Sequence, residues 1–139
     1  MAQLVRDVMT PNPVALQAAS SLVEAALAMR DFDVGNVLVL DDGQICGIVT
    51  DRDIVVRGIA GGNYPATVKL GEICSRELTT LSPTDTVEDA VSLMRQKAIR
   101  RLPVVENGQP VGILSLGDLA LEKDPHSALG DISAAPPNR

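Results

Sequence analysis

Displaced by 65 residues, which carries Gly47 onto Gly112, the sequence falls on itself without a gap. Leu16 meets Leu81, Ala25 meets Ala90, and Met29-Arg30 meets Met94-Arg95. Val39 meets Val104, Gly43-Gln44 meets Gly108-Gln109, and Asp53 meets Asp118. Conservative pairs fill in between: Val8 with Ile73, Asp41 with Glu106, Thr50 with Ser115, Ile54 with Leu119. An ungapped register that also matches turn residues is not chance similarity between two aliphatic stretches. A repeat this short has too little core to stand alone. Two copies are therefore expected to pack sheet against sheet with pseudo-two-fold symmetry, leaving two equivalent clefts between them.

Each copy predicts the same elements. A short strand, around Pro13 to Leu16 and Thr79 to Leu81, leads into a helix. Ser21-Leu22-Val23-Glu24 reads as a capping box, and Thr86-Val87-Glu88-Asp89 is its shorter counterpart. Leu22, Ala25, Ala26 and Met29 fall at i, i+3, i+4 and i+7, as do Val87, Ala90, Val91 and Met94, so each helix has one apolar face. Two apolar strands follow, joined by Asp42-Gly43 in one copy and Asn107-Gly108 in the other, pairs that tolerate the positive φ of a tight hairpin. Strands so uniformly apolar are expected to be buried on both faces. A second helix starts near Asp51 and Leu116, the first ending at Gly61-Gly62. The fold class is thus α/β, two tandem β-α-β-β-α repeats: repeat 1 over 5–60, a linker over 61–69, repeat 2 over 70–124 and a C-terminal tail over 125–139. The tail, rich in Ser, Ala, Gly and Pro, is expected to be mobile at its end, with Leu129 and Ile132 as anchors before it.

Composition narrows the function. Apolar residues make up 45% of the 139 residues but aromatic ones only 1%, so the core is aliphatic and stacking platforms for single-stranded nucleic acid are lacking. A net charge of -6, with no basic cluster beyond Arg100-Arg101, disfavours a nucleic-acid backbone or an anionic membrane as partner. No stretch reads as a membrane span or a signal peptide, and a cytoplasmic location is expected. Cys46 and Cys74 have no metal-ligand spacing and read as reduced, semi-buried thiols. His126 is the only histidine, and no Ser-His-Asp set, Cys-His pair, metal cluster or phosphate-cradling loop before a Lys is present. Catalysis has no support, and neither a cofactor nor a metal is expected.

The informative segment closes each hairpin and opens the helix after it. It reads Gly47-Ile48-Val49-Thr50-Asp51-Arg52-Asp53 in one copy and Gly112-Ile113-Leu114-Ser115-Leu116-Gly117-Asp118 in the other. A hydroxyl stands at the strand end and a carboxylate three residues on. Taken alone, that spacing is also an ordinary helix cap, the Asp answering the positive end of the macrodipole. Both readings stand at this point.

With Arg100-Arg101-Leu102-Pro103-Val104 before the second copy's hairpin, these motifs resemble the CBS domain family over roughly residues 5 to 123. The arrangement is similar to small stand-alone bacterial proteins made of two CBS domains, a Bateman module. The resemblance implies a regulatory adenine-nucleotide-binding module. Asp53 and Asp118 would accept the ribose hydroxyls, with Thr50 and Ser115 supplying a hydroxyl nearby. Backbone around Gly35, Asn36, Val37 and Leu38, and from Arg100 to Leu102 and Pro103, would line the adenine. Arg100, Arg101 and Arg52 would meet phosphates. Gly35-Asn36 stands uncharged where the other copy has its arginines, so the two sites are expected to be unequal. Phosphate contacts reaching from one repeat to the other would favour the Thr50/Asp53 site. The resemblance also implies a homodimer formed through helix faces, with Ala25-Ala26-Leu27-Ala28 as a candidate surface. The alternative is a ligand-free module for dimerisation or for binding an unidentified protein partner.

Overall fold

The computed structural model describes residues 2–76 and 78–123. The tail anchors Leu129 and Ile132, together with His126, lie outside the described residues. The chain forms two compact units that do not follow the two sequence copies end to end. Pro13–Leu78 form one; the other joins residues 2–12 with residues 79–123.

In the first unit, β2 (Ala15–Gln17) runs parallel to β3 (Asn36–Asp41), and β3 pairs antiparallel with β4 (Gln44–Thr50). Helix α2 (Leu22–Phe32) connects β2 to β3. The Ser21 hydroxyl accepts the Glu24 N–H at 3.1 Å. Glu24 does not return the bond, so only half of the expected capping box forms. Helix α2 buries Leu22, Ala25 and Met29 against Val37, Val39 and Val49 of the sheet. Ala26, expected on that face, is exposed, while Ala25, expected in an exposed apolar run, is fully buried. Leu22, Ala25 and Met29 fall on the side of the stripe turned to the sheet, and Ala26, at the stripe's opposite margin, is left uncovered. Val37, Leu38 and Val39 are all fully buried, so β3 is covered on both faces, as its composition predicts.

The β3–β4 turn is Asp42-Gly43, with φ of 52° and 77°. Beyond Thr50 the expected second helix is a short α-turn, α3 (Asp51–Asp53), continuing as a π-helical stretch over Ile54–Ile59. Gly58 in that stretch lies where a Cβ would come within 2.5 Å of Leu22 Cδ1, so the absence of a side chain lets the turn close on α2. The turn ends at Gly62, φ 81°. Helix α4 (Leu70–Ile73) follows, and a bridge between Ile48 and Ser75 adds the segment after it to the edge of β4.

The second unit repeats these contacts at the same offset. Helix α1 (Val5–Val8) precedes β1 (Thr10–Pro11), which pairs antiparallel with β6 (Gln109–Ser115), and β6 pairs with β5 (Arg101–Glu106). Thr10 opposite Ile113 is the counterpart of Ser75 opposite Ile48. The strand expected over Thr79–Leu81 is reduced to one parallel bridge, Leu81 to Val104. Helix α5 (Val87–Lys97), capped by the Thr86 hydroxyl on the Asp89 N–H at 3.1 Å, buries Val87, Ala90 and Met94. The hairpin turns at Asn107-Gly108, φ 54° and 78°, and α6 (Leu116–Lys123) follows β6 directly. Each sequence copy thus lends its leading segment to the compact unit built around the other copy's hairpin.

Candidate functional site

Both motifs fold into the same local device. At the end of β4 the Thr50 hydroxyl accepts the Asp53 N–H at 3.2 Å, and Asp53 Oδ2 accepts the Thr50 N–H at 2.9 Å. At the end of β6 the Ser115 hydroxyl accepts the Asp118 N–H at 3.0 Å, and Asp118 Oδ2 accepts the Ser115 N–H at 3.0 Å. These are complete reciprocal capping boxes, so the ordinary cap is present at both motifs. The box engages one carboxylate oxygen through the backbone and leaves Oδ1 outside it. A carboxylate has about four lone-pair positions, so capping and holding a further donor are compatible roles for the same Asp.

The start of the hairpin lies beside each box. Asn36 is opposite Thr50 in the β3–β4 register, and the Asp51 N–H donates to the Gly35 carbonyl at 3.0 Å. Arg101 is opposite Ser115, and the Leu116 N–H donates to the Arg100 carbonyl at 2.9 Å. Gly35, Asn36 and Val37 are thus gathered with Thr50 and Asp53, while Arg100, Arg101, Leu102 and Pro103 are gathered with Ser115 and Asp118. The Asp51 carboxylate covers Gly35, where a Cβ would meet its Oδ2 at 3.3 Å. Arg52, Arg100 and Arg101 are exposed, and none is in an ion pair among the described residues.

The two carboxylates differ in their further neighbours, and sequence reasoning missed both differences. Asp53 Oδ1 has the Arg57 Nε at 3.9 Å, one helical turn on. Arg57 also donates from Nη1 to the Ile73 carbonyl at 3.3 Å. Asp118 instead meets the Thr10 hydroxyl, 3.3 Å from Oδ1 and 3.4 Å from Oδ2. Arg57 was readable as an i,i+4 partner of Asp53. Thr10 was not, since 108 residues separate it from Asp118.

In the second unit a groove of about 560 Å3 runs between α5 and α6, lined by Val91, Met94, Ile99, Leu116 and Leu119 with Arg95 and Arg100 among its polar groups. Asp118 does not line it. The two cysteines are free, Cys46 half-buried and Cys74 buried. The register shift between Val39 and Leu40 leaves Cys46 as the extra residue of a β-bulge. Burial, reinforced by the neighbouring Cys74, pushes the Cys46 thiol above its ordinary value against the pull of Arg76. Among the described residues no three His, Cys, Asp or Glu gather as a metal site, and no helix is long and apolar enough to cross a membrane.

A family model for the CBS domain matches residues 5–58 and 70–123. The CBS domain-containing protein YhcV of Bacillus subtilis is 38% identical over 126 residues, spanning 91% of this chain and 89% of that protein. Among solved structures, hypoxic response protein I with two coordinated zinc ions superposes with a TM-score of 0.77 at 29% identity, over 86% of this chain and 98% of that one. The CBS domain pair of protein MJ0100, in complex with 5-methylthioadenosine and S-adenosyl-L-methionine, superposes with a TM-score of 0.79 at 23% identity, over 91% of this chain and 100% of that one.

Proposed function

We propose, starting from the fact that this chain belongs to the CBS domain family, that it is a cytoplasmic regulatory module that binds an adenosyl ligand and catalyses no reaction. The candidate ligands are AMP, ADP, ATP and S-adenosylmethionine. The observation that carries the reading is the doubled box: each Asp is fixed by its own helix cap, with one oxygen outside the box and the start of a hairpin alongside. Such an oxygen, held in place before any ligand arrives, loses little freedom on accepting a ribose hydroxyl. In this reading Asp53 and Asp118 take the ribose, and Thr50 and Ser115 fix the carboxylates and offer their hydroxyls. Backbone from Gly35 to Val37 and from Arg100 to Pro103 lines the adenine, and Arg52, Arg100 and Arg101 meet phosphates. The adenosyl ligands of the MJ0100 domain pair support the choice of ligand class. Zinc, held by hypoxic response protein I, is not carried over, because the described residues gather no donor set for it.

Titration calorimetry of the full chain with adenosine, AMP, ATP and S-adenosylmethionine tests the reading. Replacing Asp53 or Asp118 by Ala removes a charged acceptor, and a hydrogen bond to such a group contributes roughly 1.5–3 kcal/mol. Affinity at the altered site is expected to fall on the order of tenfold to a hundredfold. Arg101→Ala is expected to weaken AMP and ATP far more than adenosine, which has no phosphate. Absence of heat with every one of these ligands at millimolar concentration overturns the reading.

A further inference from the structure

The two carboxylates are held alike by their boxes yet meet different groups beyond them. Asp118 has a donor on its free oxygen, the Thr10 hydroxyl, which also reaches Oδ2. A ribose hydroxyl would make the same kind of bond to the same atom. We propose that Thr10 acts as a built-in competitor for the ribose at Asp118, so that the Ser115/Asp118 site is the weaker of two otherwise parallel sites. The inference rests on the ribose role given to Asp118 above.

The geometry suits a plug that can leave. Thr10 is held by its backbone: β1 pairs with β6 at Thr10–Ile113 and Pro11–Gly112. The side chain is exposed and reaches the carboxylate only through its hydroxyl. Rotation about one side-chain bond therefore frees Asp118 without opening the sheet. The contact is long, 3.3 and 3.4 Å against about 2.7–2.8 Å for a good O–H···O bond, so it is weak enough for a ligand to displace.

Among the described residues of the other unit there is no equivalent. Ser75, which the offset places at the position of Thr10, bridges Ile48 through its backbone, but among the described residues its hydroxyl gives Asp53 no bond. Asp53 Oδ1 faces Arg57 at 3.9 Å, beyond hydrogen-bond distance. Arg57 therefore leaves Asp53 Oδ1 open to accept a donor, whereas the Thr10 hydroxyl already donating to Asp118 must first be moved. The repeat offset sets Glu122 against Arg57, so this cation is not repeated in the sequence of the second copy.

Adenosine and AMP binding by calorimetry, with each site isolated in turn, decides the matter. In an Asp53→Ala background, which leaves only the Asp118 site, Thr10→Val removes the hydroxyl while keeping a β-branched strand residue. Both ligands are expected to bind roughly three- to tenfold tighter, as loss of one weak competing hydrogen bond implies. Thr10→Ser, which keeps the donor, is expected to return the affinity of the Asp53→Ala parent. In an Asp118→Ala background, where the hydroxyl has no carboxylate to hold, Thr10→Val is expected to change nothing. Binding that is unchanged or weakened by Thr10→Val at the isolated Asp118 site overturns the competitor role and leaves the adenosyl reading standing. So does tightening of equal size in both backgrounds. No binding by any variant or by the intact chain overturns both.

Discussion

At the scale of single residues, the same side chains serve structure and binding, and the structural duty is the one visible without a ligand. Asp53 and Asp118 close capping boxes as their third helical residues, a role that contributes roughly 0.3–1.5 kcal/mol to stability. Loss of affinity in an Asp→Ala variant must therefore be read beside its melting temperature. Cys46 gives an independent check on the local structure. Its thiol is pushed up by burial and by Cys74, so the folded state favours the neutral form. This contribution to stability is fully present below the ordinary thiol pKa of 9.0 and is lost as pH rises through the higher folded value. Alkylation of Cys46 by iodoacetamide at neutral pH is expected to be slower in the native chain than in the chain unfolded in urea. Equal rates would contradict the half-buried bulge position.

At the scale of elements, the two long helices end in the same way but with different residues. Asp33 closes α2 at φ 59° and Ala98 closes α5 at φ 54°, both left-handed. Asp tolerates that region several-fold better than most residues, whereas for Ala it costs roughly 1–2 kcal/mol. Ala98→Gly is expected to stabilise the chain by about 0.5–1 kcal/mol, the gain being reduced by the greater freedom of Gly in the unfolded chain. Thermal unfolding reads this as a rise of a few degrees; an unchanged or lower melting temperature would contradict the αL assignment. Elements of this kind were legible in the sequence because their signals are local. Asp42-Gly43 and Asn107-Gly108 announce their turns, and Leu22, Ala25 and Met29 announce the buried face of α2. Other features were not, because no local pattern encodes them. The π-helical stretch over Ile54–Ile59 has no such local signal, and its Gly58 packs against Leu22, a contact across the fold. The half-formed box at Ser21 depends on where the Glu24 side chain settles, which spacing alone does not fix. Within the candidate site, the Thr-x-x-Asp and Ser-x-x-Asp motifs were readable, whereas Thr10 reaches Asp118 only through the pairing of β1 with β6.

At the scale of the whole molecule, the repeat was legible but the exchange of its leading segments was not. The segment up to Asn12 belongs to the compact unit of the second hairpin, and residues through Leu78 belong to that of the first. Sequence self-similarity gives each copy's content and is silent on which copy's sheet receives a given edge. The exposed apolar side chains of the first unit, Val23 and Leu27 on α2 with Val55, Val56 and Ile59 beyond α3, favour self-association. A homodimer through these faces is expected, and light scattering at micromolar concentration should give twice the chain mass; a monomer would contradict it. The folded chain is expected to bind an adenosyl ligand through Asp53 and Asp118. A ligand that binds only the folded state must raise the melting temperature, by an amount that grows with concentration. The most direct measurement is thermal unfolding of the full chain with AMP, ADP, ATP and S-adenosylmethionine, beside the Asp53→Ala/Asp118→Ala double variant. A concentration-dependent rise is expected with at least one of these ligands, and its loss in the double variant. No rise with any of them, or a rise that the double variant retains in full, would contradict it.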